Sequence, residues 1–465
     1  MVEFLKEAAR VVPSKRQLDW FEMERYAFVH YGVNTYTDRE WGEGTEDEKI
    51  FNPTALDCDQ WVEAVKSAGL KGLILTAKHH DGFCLWPSKY TEHSVKNSPY
   101  KGDVVREAAE ACKRGGIKFG FYLSPWDRNS KYYGTPEYND YFCNQLTELL
   151  TGYGDIFCVW FDNACGEGEN GKKQEYDFPR YFELIRKYQP NAVIFNDFGP
   201  DTRWCGNEAG EARHAGWAVV PRELCFYSEV QTGAGPMAED GSLRYMYNTN
   251  REIGTMPNIL YSKGLVFAPA EIDMSIRPGW FWHENEEPHS LERLYNTYLR
   301  SCGANACLNL NVPPTREGKF DERDVKRLKE LGDLIRETTE NRIPCTVERI
   351  GGTPTQPVYE LKTEGPVEIG CVVLREDLTH GQRVEGFRIL GIDEENKADY
   401  ALFEGTCIGN KHICELEDPF AVQNPLTGHT NKKLSGVRVQ ITAARDEVFM
   451  REIYITKGKS VCEQK

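Results

Sequence analysis

The first third of the chain alternates two hydrophobic rhythms. Runs of consecutive, mostly apolar residues occupy 26–33, 72–77, 118–123, 156–161 and 192–195. Between them lie 57–69, 103–113, 137–150 and 178–188, whose apolar positions recur every three to four residues. The continuous runs, rich in Val, Ile and Phe, predict strands buried on both faces; the longer rhythm predicts helices. Residues 57–69 illustrate the second kind. Asp57 and Asp59 favour a helix start, Trp61, Val65 and Ala68 share one face, and Gly69 stops the helix. Successive strand–helix units at this spacing predict right-handed crossovers and a parallel sheet. None of them carries a nucleotide-binding glycine fingerprint, which favours an α/β fold of the (β/α)8-like barrel type over a doubly wound sheet.

From about 199 to 270 the rhythm loosens into Gly, Pro and polar residues, expected as long loops over the barrel mouth. A helix is predicted over 291–302, a strand over 307–312 ending at Pro313-Pro314, and a charged helix over 321–337. After Cys345 short strand-like stretches appear at 367–374, 386–390, 437–441 and 453–455, separated by turn residues, the pattern of an antiparallel β-sandwich. The expected organisation is a catalytic barrel over 1–342 and a C-terminal β-sandwich over 343–465, the sandwich expected to shield the barrel, with sugar binding as the alternative.

Composition narrows the function classes. The chain has 465 residues with 40% hydrophobic and 28% charged, enough for a large core and two domains. A formal net charge of -16 argues against nucleic acid or an anionic membrane surface as partner. No run is long and apolar enough to span a bilayer. The 15 cysteines are scattered without a CxxC pair, which fits free thiols in a reduced setting better than a disulfide framework. Met1 to Arg16 is charged throughout with no apolar centre, so no secretion signal is expected and a cytoplasmic location is. A chain with its signal removed, and so extracellular or periplasmic, would read the same way. Aromatic residues make up 12%, and their faces suit sugar rings.

Polar clusters stand where the predicted strands end. His30 follows Phe28-Val29, His79-His80-Asp81 follows the second strand, Tyr122, Ser124, Trp126 and Asp127 end the third, and Asp162-Asn163 ends the fourth. In a parallel barrel those ends converge on the active-site face. A helix cap or turn would explain Asp162 alone; four such clusters in succession point to a site, with Asp162 as a nucleophile. Adjacent histidines on a strand point to opposite sides, so His79 and His80 suit a hydroxyl-rich ligand better than one metal ion, and no metal or cofactor is expected. Retaining glycoside cleavage needs a second carboxyl group. Glu208, Glu211, Glu229, Glu271 and Asp273, all expected on loops, are the candidates, and spacing does not choose among them.

Over residues 15 to 340 the motifs resemble the α-L-fucosidases of glycoside hydrolase family 29. The carriers are Tyr26 to Gly32, Arg39-Glu40-Trp41, Thr76 to Phe83 (Thr-Ala-Lys-His-His-Asp-Gly-Phe), Phe121 to Ser124, Val159-Trp160-Phe161-Asp162, and Leu308 to Pro314. Arg203 to Gly210, Arg277 to Phe281 and Val373 to Val384 further resemble subfamily B, the branch restricted to α-1,3/1,4 linkages. The resemblance implies a retaining exo-α-L-fucosidase acting on Lewis-type fucosylated oligosaccharides or glycoconjugates. It implies Asp162 as nucleophile and Glu208 as acid/base. It also implies His30, Glu40, Trp41, His79, His80, Tyr122, Trp160, Arg203 and Trp280 as substrate-binding residues, with Trp280 taken over Trp282. Asp162 would raise the Glu208 pKa until the covalent bond forms. Two other readings remain: a broad-specificity fucosidase with its acid elsewhere, Glu229 being the candidate, and an inactive fucose- or galactan-binding lectin. The presence of both Asp162 and Glu208 counts against the lectin. Oligomeric state is not legible.

Overall fold

The computed structural model describes residues 2–196, 200–212, 216–222, 253–256, 258–262, 264–393, 398–416 and 433–458. Its strands in chain order begin with β1 (Arg25–Val29), β2 (Gly72–Lys78), β3 (Lys118–Leu123), β4 (Ile156–Trp160), β5 (Val193–Phe195) and β6 (Arg203–Trp204). Then come β7 (Val219–Pro221), β8 (Leu265–Phe267), β9 (Ala270–Ser275) and β10 (Ala306–Asn311). An 8-stranded sheet has the order β5-β4-β3-β2-β1-β10-β9-β6, and all its pairs are parallel. Among the described residues its two ends meet at a single parallel bridge, Phe195 to Thr202, which nearly closes the barrel.

Each strand divides its side chains between two environments, as a period of 2 requires. Leu73, Leu75 and Ala77 pack outward with Trp61, Val62 and Val65 of the helix Cys58–Ser67. Tyr26, Phe28, Ile74, Tyr122 and Trp160 fill the lumen. The helices form where expected because their ends are capped. Asp57, Asp103 and Asp177 each accept a backbone N–H three residues on. Gly116, at φ 72°, ends Val104–Gly115 in the left-handed region that glycine tolerates best. The strand expected over 26–33 stops at Val29, and Gly32 opens a short helix, Val33–Thr37.

The stretch expected as loops needs correction. It contains β6, the β7–β8 pair and the start of β9, and β9 is a full barrel strand paired to β10 over six residues. Glu271 and Asp273 therefore sit on a strand and not on surface loops. Residues 223–252, which include Glu229, lie outside the described residues.

Beyond the barrel come β11 (Thr346–Gly352), β12 (Pro357–Val367), β13 (Cys371–Glu376), β14 (Val384–Asp393), β15 (Ala398–Gly405), β16 (His412–Glu415), β17 (Leu434–Ala444) and β18 (Met450–Thr456). They make two antiparallel sheets, β11-β12-β17-β14-β15 and β16-β13-β18. Leu361, Val372, Leu374, Phe387, Ile389 and Val437 form the core they share. No described helix is long and apolar enough to cross a membrane.

One buried ion pair braces the second and third strand ends. Lys78 Nζ lies 2.9 Å from Asp127 Oδ2 and 3.0 Å from Gln145 Oε1, with both charged side chains fully buried. Removing one partner strands the other charge. Asp127→Ala is expected to destabilise by about 3–5 kcal/mol, measured by denaturant unfolding. Replacing both with apolar residues, Lys78→Met with Asp127→Leu, should restore most of that. Equal losses in the single and double variants would show that the packing, not the orphaned charge, is at fault.

Candidate active site

The strand ends β1 to β4 and the segments after β6 and β9 enclose a cleft of ≈ 250 Å³. Asp162 follows β4 directly. Its Oδ2 accepts a hydrogen bond from the Tyr122 hydroxyl at 2.7 Å, and its Oδ1 accepts one from the Ala164 backbone N–H at 3.1 Å. His80 Nε2 stands 3.7 Å from the same Oδ2, beyond hydrogen-bond reach. Burial drives the Tyr122 hydroxyl well above its usual pKa, and the Asp162 charge adds to this, so it remains a donor.

The three histidines form one wall. His30 Nδ1 lies 2.8 Å from Asn311 Oδ1, and His80 Nδ1 lies 2.7 Å from Ser124 Oγ. The His79 and His80 rings are 4.1 Å apart between centroids. The alternation that should send neighbouring histidines to opposite sides does not apply to this pair. The β2–β3 register shifts between Thr76 and Lys78, and both histidines lie past the strand, lining the cleft. Burial pushes His30 down to about 3 and His79 well below its usual value. It lowers His80 too, against the pull of Asp162. The wall is therefore uncharged at neutral pH; Asn311 and Ser124 occupy the Nδ1 atoms of His30 and His80, which leaves the Nε2 atoms of these two rings for a hydroxyl-bearing ligand.

Glu40 and Trp280 form the facing side. Glu40 accepts the backbone N–H of Trp280 at 2.8 Å and that of Phe281 at 3.2 Å, and His283 Nε2 is 2.7 Å from its Oε1. The Trp280 carbonyl accepts from Asn311 Nδ2 at 2.8 Å, which ties this loop to β10. Trp280 lines the cleft; the Trp282 indole N–H points instead to Asp321 at 3.3 Å. Trp41 is 61% exposed at the mouth, its ring 5.8 Å from that of Trp126.

Glu208 reaches the same cleft from the turn after β6. Asn207 shapes that turn: its Oδ1 accepts the Ala209 N–H at 3.0 Å, and its Nδ2 donates to the Glu211 carbonyl at 2.9 Å. Glu211 pairs with Arg300 and faces a different surface hollow. The Arg203 guanidinium donates to the carbonyls of Ala268 at 3.1 Å and Trp217 at 3.2 Å. Its neighbour Trp204 lines the cleft.

The sequence did not single out Phe28, Trp204 or Ala164, which also line the cleft. Phe28 stands two positions before His30 on the same strand face, so alternation alone could have found it. Trp204 carried no such signal. Among the described residues no three His, Cys, Asp or Glu side chains converge as a metal site.

Comparison with known proteins adds the chemistry. The family model for alpha-L-fucosidases matches residues 8–340. Alpha-L-fucosidase 1 of Arabidopsis thaliana is 39% identical over 444 residues, covering 86% of this chain and 81% of its own. The crystal structure of a glycoside hydrolase 29 family member from an unknown rumen bacterium matches at 35% identity and TM-score 0.81, over 98% of this chain and 78% of that one. A Ruminococcus gnavus GH29 fucosidase in complex with fucose matches at 27% identity and TM-score 0.81, over 97% of this chain and 96% of its own. A sugar-sized cleft of neutral histidines around an aspartate, in a chain matched over most of its length, leads to one assignment: this chain belongs to the α-L-fucosidases of glycoside hydrolase family 29.

Proposed function

We propose that this α-L-fucosidase is a retaining exo-enzyme that removes α-1,3/1,4-linked fucose from Lewis-type oligosaccharides and glycoconjugates. The observation that carries the reading is the meeting of Asp162 and Glu208 in one cleft, on separate elements and in different settings. Asp162 is held by Tyr122, with only 22% of its side chain exposed. Glu208 stands exposed on the rim, where a leaving group would depart. In this scheme Asp162 attacks the anomeric carbon while Glu208 protonates the glycosidic oxygen. Glu208 then takes a proton from the water that hydrolyses the fucosyl-enzyme ester. His30, His79, His80 and Glu40 bind ring hydroxyls; Trp160, Trp280 and Phe28 enclose the apolar face and the methyl group.

The linkage reading rests on the Arg203 to Gly210 segment, which places Glu208 beside Trp204. Its test compares kcat/KM on a Lewis-type trisaccharide and on 2'-fucosyllactose. The trisaccharide should win by about 100-fold or more, the discrimination a site reaches when the disfavoured substrate leaves its polar groups unpaired. Equal rates on the two sugars would make this a broad-specificity enzyme.

A further inference from the structure

The barrel lumen beneath the cleft holds two carboxyl groups that the scheme above does not use. Glu271 is fully buried and surrounded by donors. The Trp160 indole N–H reaches its Oε1 at 2.7 Å and Asn309 Nδ2 reaches the same oxygen at 3.1 Å. The Tyr26 hydroxyl donates to its Oε2, because that hydroxyl already receives the Trp20 indole N–H at 2.9 Å. A group taking three such bonds is a carboxylate. Asp273, two residues on and 4% exposed, is hydrogen-bonded to it. Glu271 takes those three bonds as the anion, so the proton of the bond between the two carboxyl groups belongs to Asp273. Burial and the neighbouring Glu271 charge both hold its carboxyl well above the usual range. Its Oδ1 is buried without a hydrogen-bond partner, and the residue lines the cleft that Trp204 and Glu208 also line.

We propose that Asp273 is a substrate-binding residue that works as a neutral carboxylic acid: its O–H donates to Glu271, and its carbonyl oxygen accepts a hydrogen bond from a hydroxyl of the sugar ring in the cleft. An unpartnered buried carbonyl oxygen costs free energy until a ligand supplies a donor, which makes it selective for a hydroxyl-bearing ring. This rests on the cleft being the fucose subsite. Inhibition of the wild-type enzyme by L-fucose tests that separately.

Asparagine copies the proposed state, with Nδ2–H in place of O–H and the carbonyl oxygen kept; leucine copies only the shape. Inhibition constants for L-fucose and for its 2-, 3- and 4-deoxy analogues would be measured with wild type, Asp273→Asn and Asp273→Leu, each checked for an intact unfolding transition. Asp273→Leu should weaken fucose about tenfold, and Asp273→Asn no more than about threefold. One deoxy sugar should bind wild type and Asp273→Leu alike, having already lost the hydroxyl concerned. An Asp273→Asn enzyme as impaired as Asp273→Leu would overturn the neutral-acid reading. Wild-type fucose affinity in both variants, or a leucine penalty equal for all the deoxy sugars, would overturn the contact itself.

Discussion

Replacing Asp162 with alanine is expected to lower kcat on an aryl α-L-fucoside on the order of 10⁴-fold, equivalent to about 5.5 kcal/mol of barrier. No other described carboxylate can stand in. Glu271 is locked in the lumen by Trp160, Asn309 and Tyr26, and Asp273 is buried beside it. Folding should change little, because Asp162 is partly exposed and the freed Tyr122 hydroxyl faces an open cleft. A shift within about 1 kcal/mol is expected. The vacated space also makes a diagnostic. Azide can enter it and attack the anomeric carbon from the side the carboxylate used, displacing the aryl leaving group. The product is then β-L-fucosyl azide, and its appearance together with a restored rate identifies Asp162 as the attacking group. An Asp162→Ala enzyme within tenfold of wild type would place the nucleophile elsewhere.

The same physics sets what the sequence discloses. β1 to β4 were legible because each ends with a polar residue just past a continuous apolar run, and in a parallel barrel such an end opens on the site. β10 was legible for another reason: Leu308 and Leu310 pack outward while Asn309 and Asn311 face the lumen, a plain alternation. β9 has that alternation too, with Ile272 and Met274 outward, but its inward positions are Glu271, Asp273 and Ser275. Two acids in six residues read as surface, since a single sequence does not reveal the Trp160, Tyr26 and Asn309 donors that stabilise them inside. The paired histidines failed differently. Alternation separates neighbours only while a strand keeps its register, and β2 loses it at Thr76. In the C-terminal sheets, the four stretches chosen lie in β12 to β13, β14, β17 and β18, most of them with inner faces in the shared core. β11, β15 and β16 were missed; in β11 all seven residues are exposed, so no buried face imposes a pattern, and β16 is only four residues long.

Glu208→Ala is expected to act through the leaving group. A sugar alcohol leaves poorly without a proton, so cleavage of a Lewis-type trisaccharide should fall about 10²- to 10⁴-fold. A 4-nitrophenyl fucoside expels a stabilised anion, and its first step should lose far less. Its second step still lacks the base that activates water, so the fucosyl-enzyme should accumulate and give a burst of nitrophenol. Azide needs no base. It should speed the second step and, after two displacements, yield α-L-fucosyl azide, the opposite anomer to that expected from Asp162→Ala. The two variants thus separate the two carboxyl roles by product stereochemistry as well as by rate. Glu211→Ala is the control from the same turn, because Glu211 pairs with Arg300 outside the cleft; it should leave both substrates within about twofold of wild type. If Glu208→Ala still cleaves the trisaccharide within tenfold of wild type, the proton comes from another group, and the described cleft holds no second exposed carboxyl placed as Glu208 is: Glu40 is held by Trp280, Phe281 and His283, and Asp273 is buried against Glu271. Such an outcome would therefore move the search for the acid to residues 223–252, where Glu229 lies.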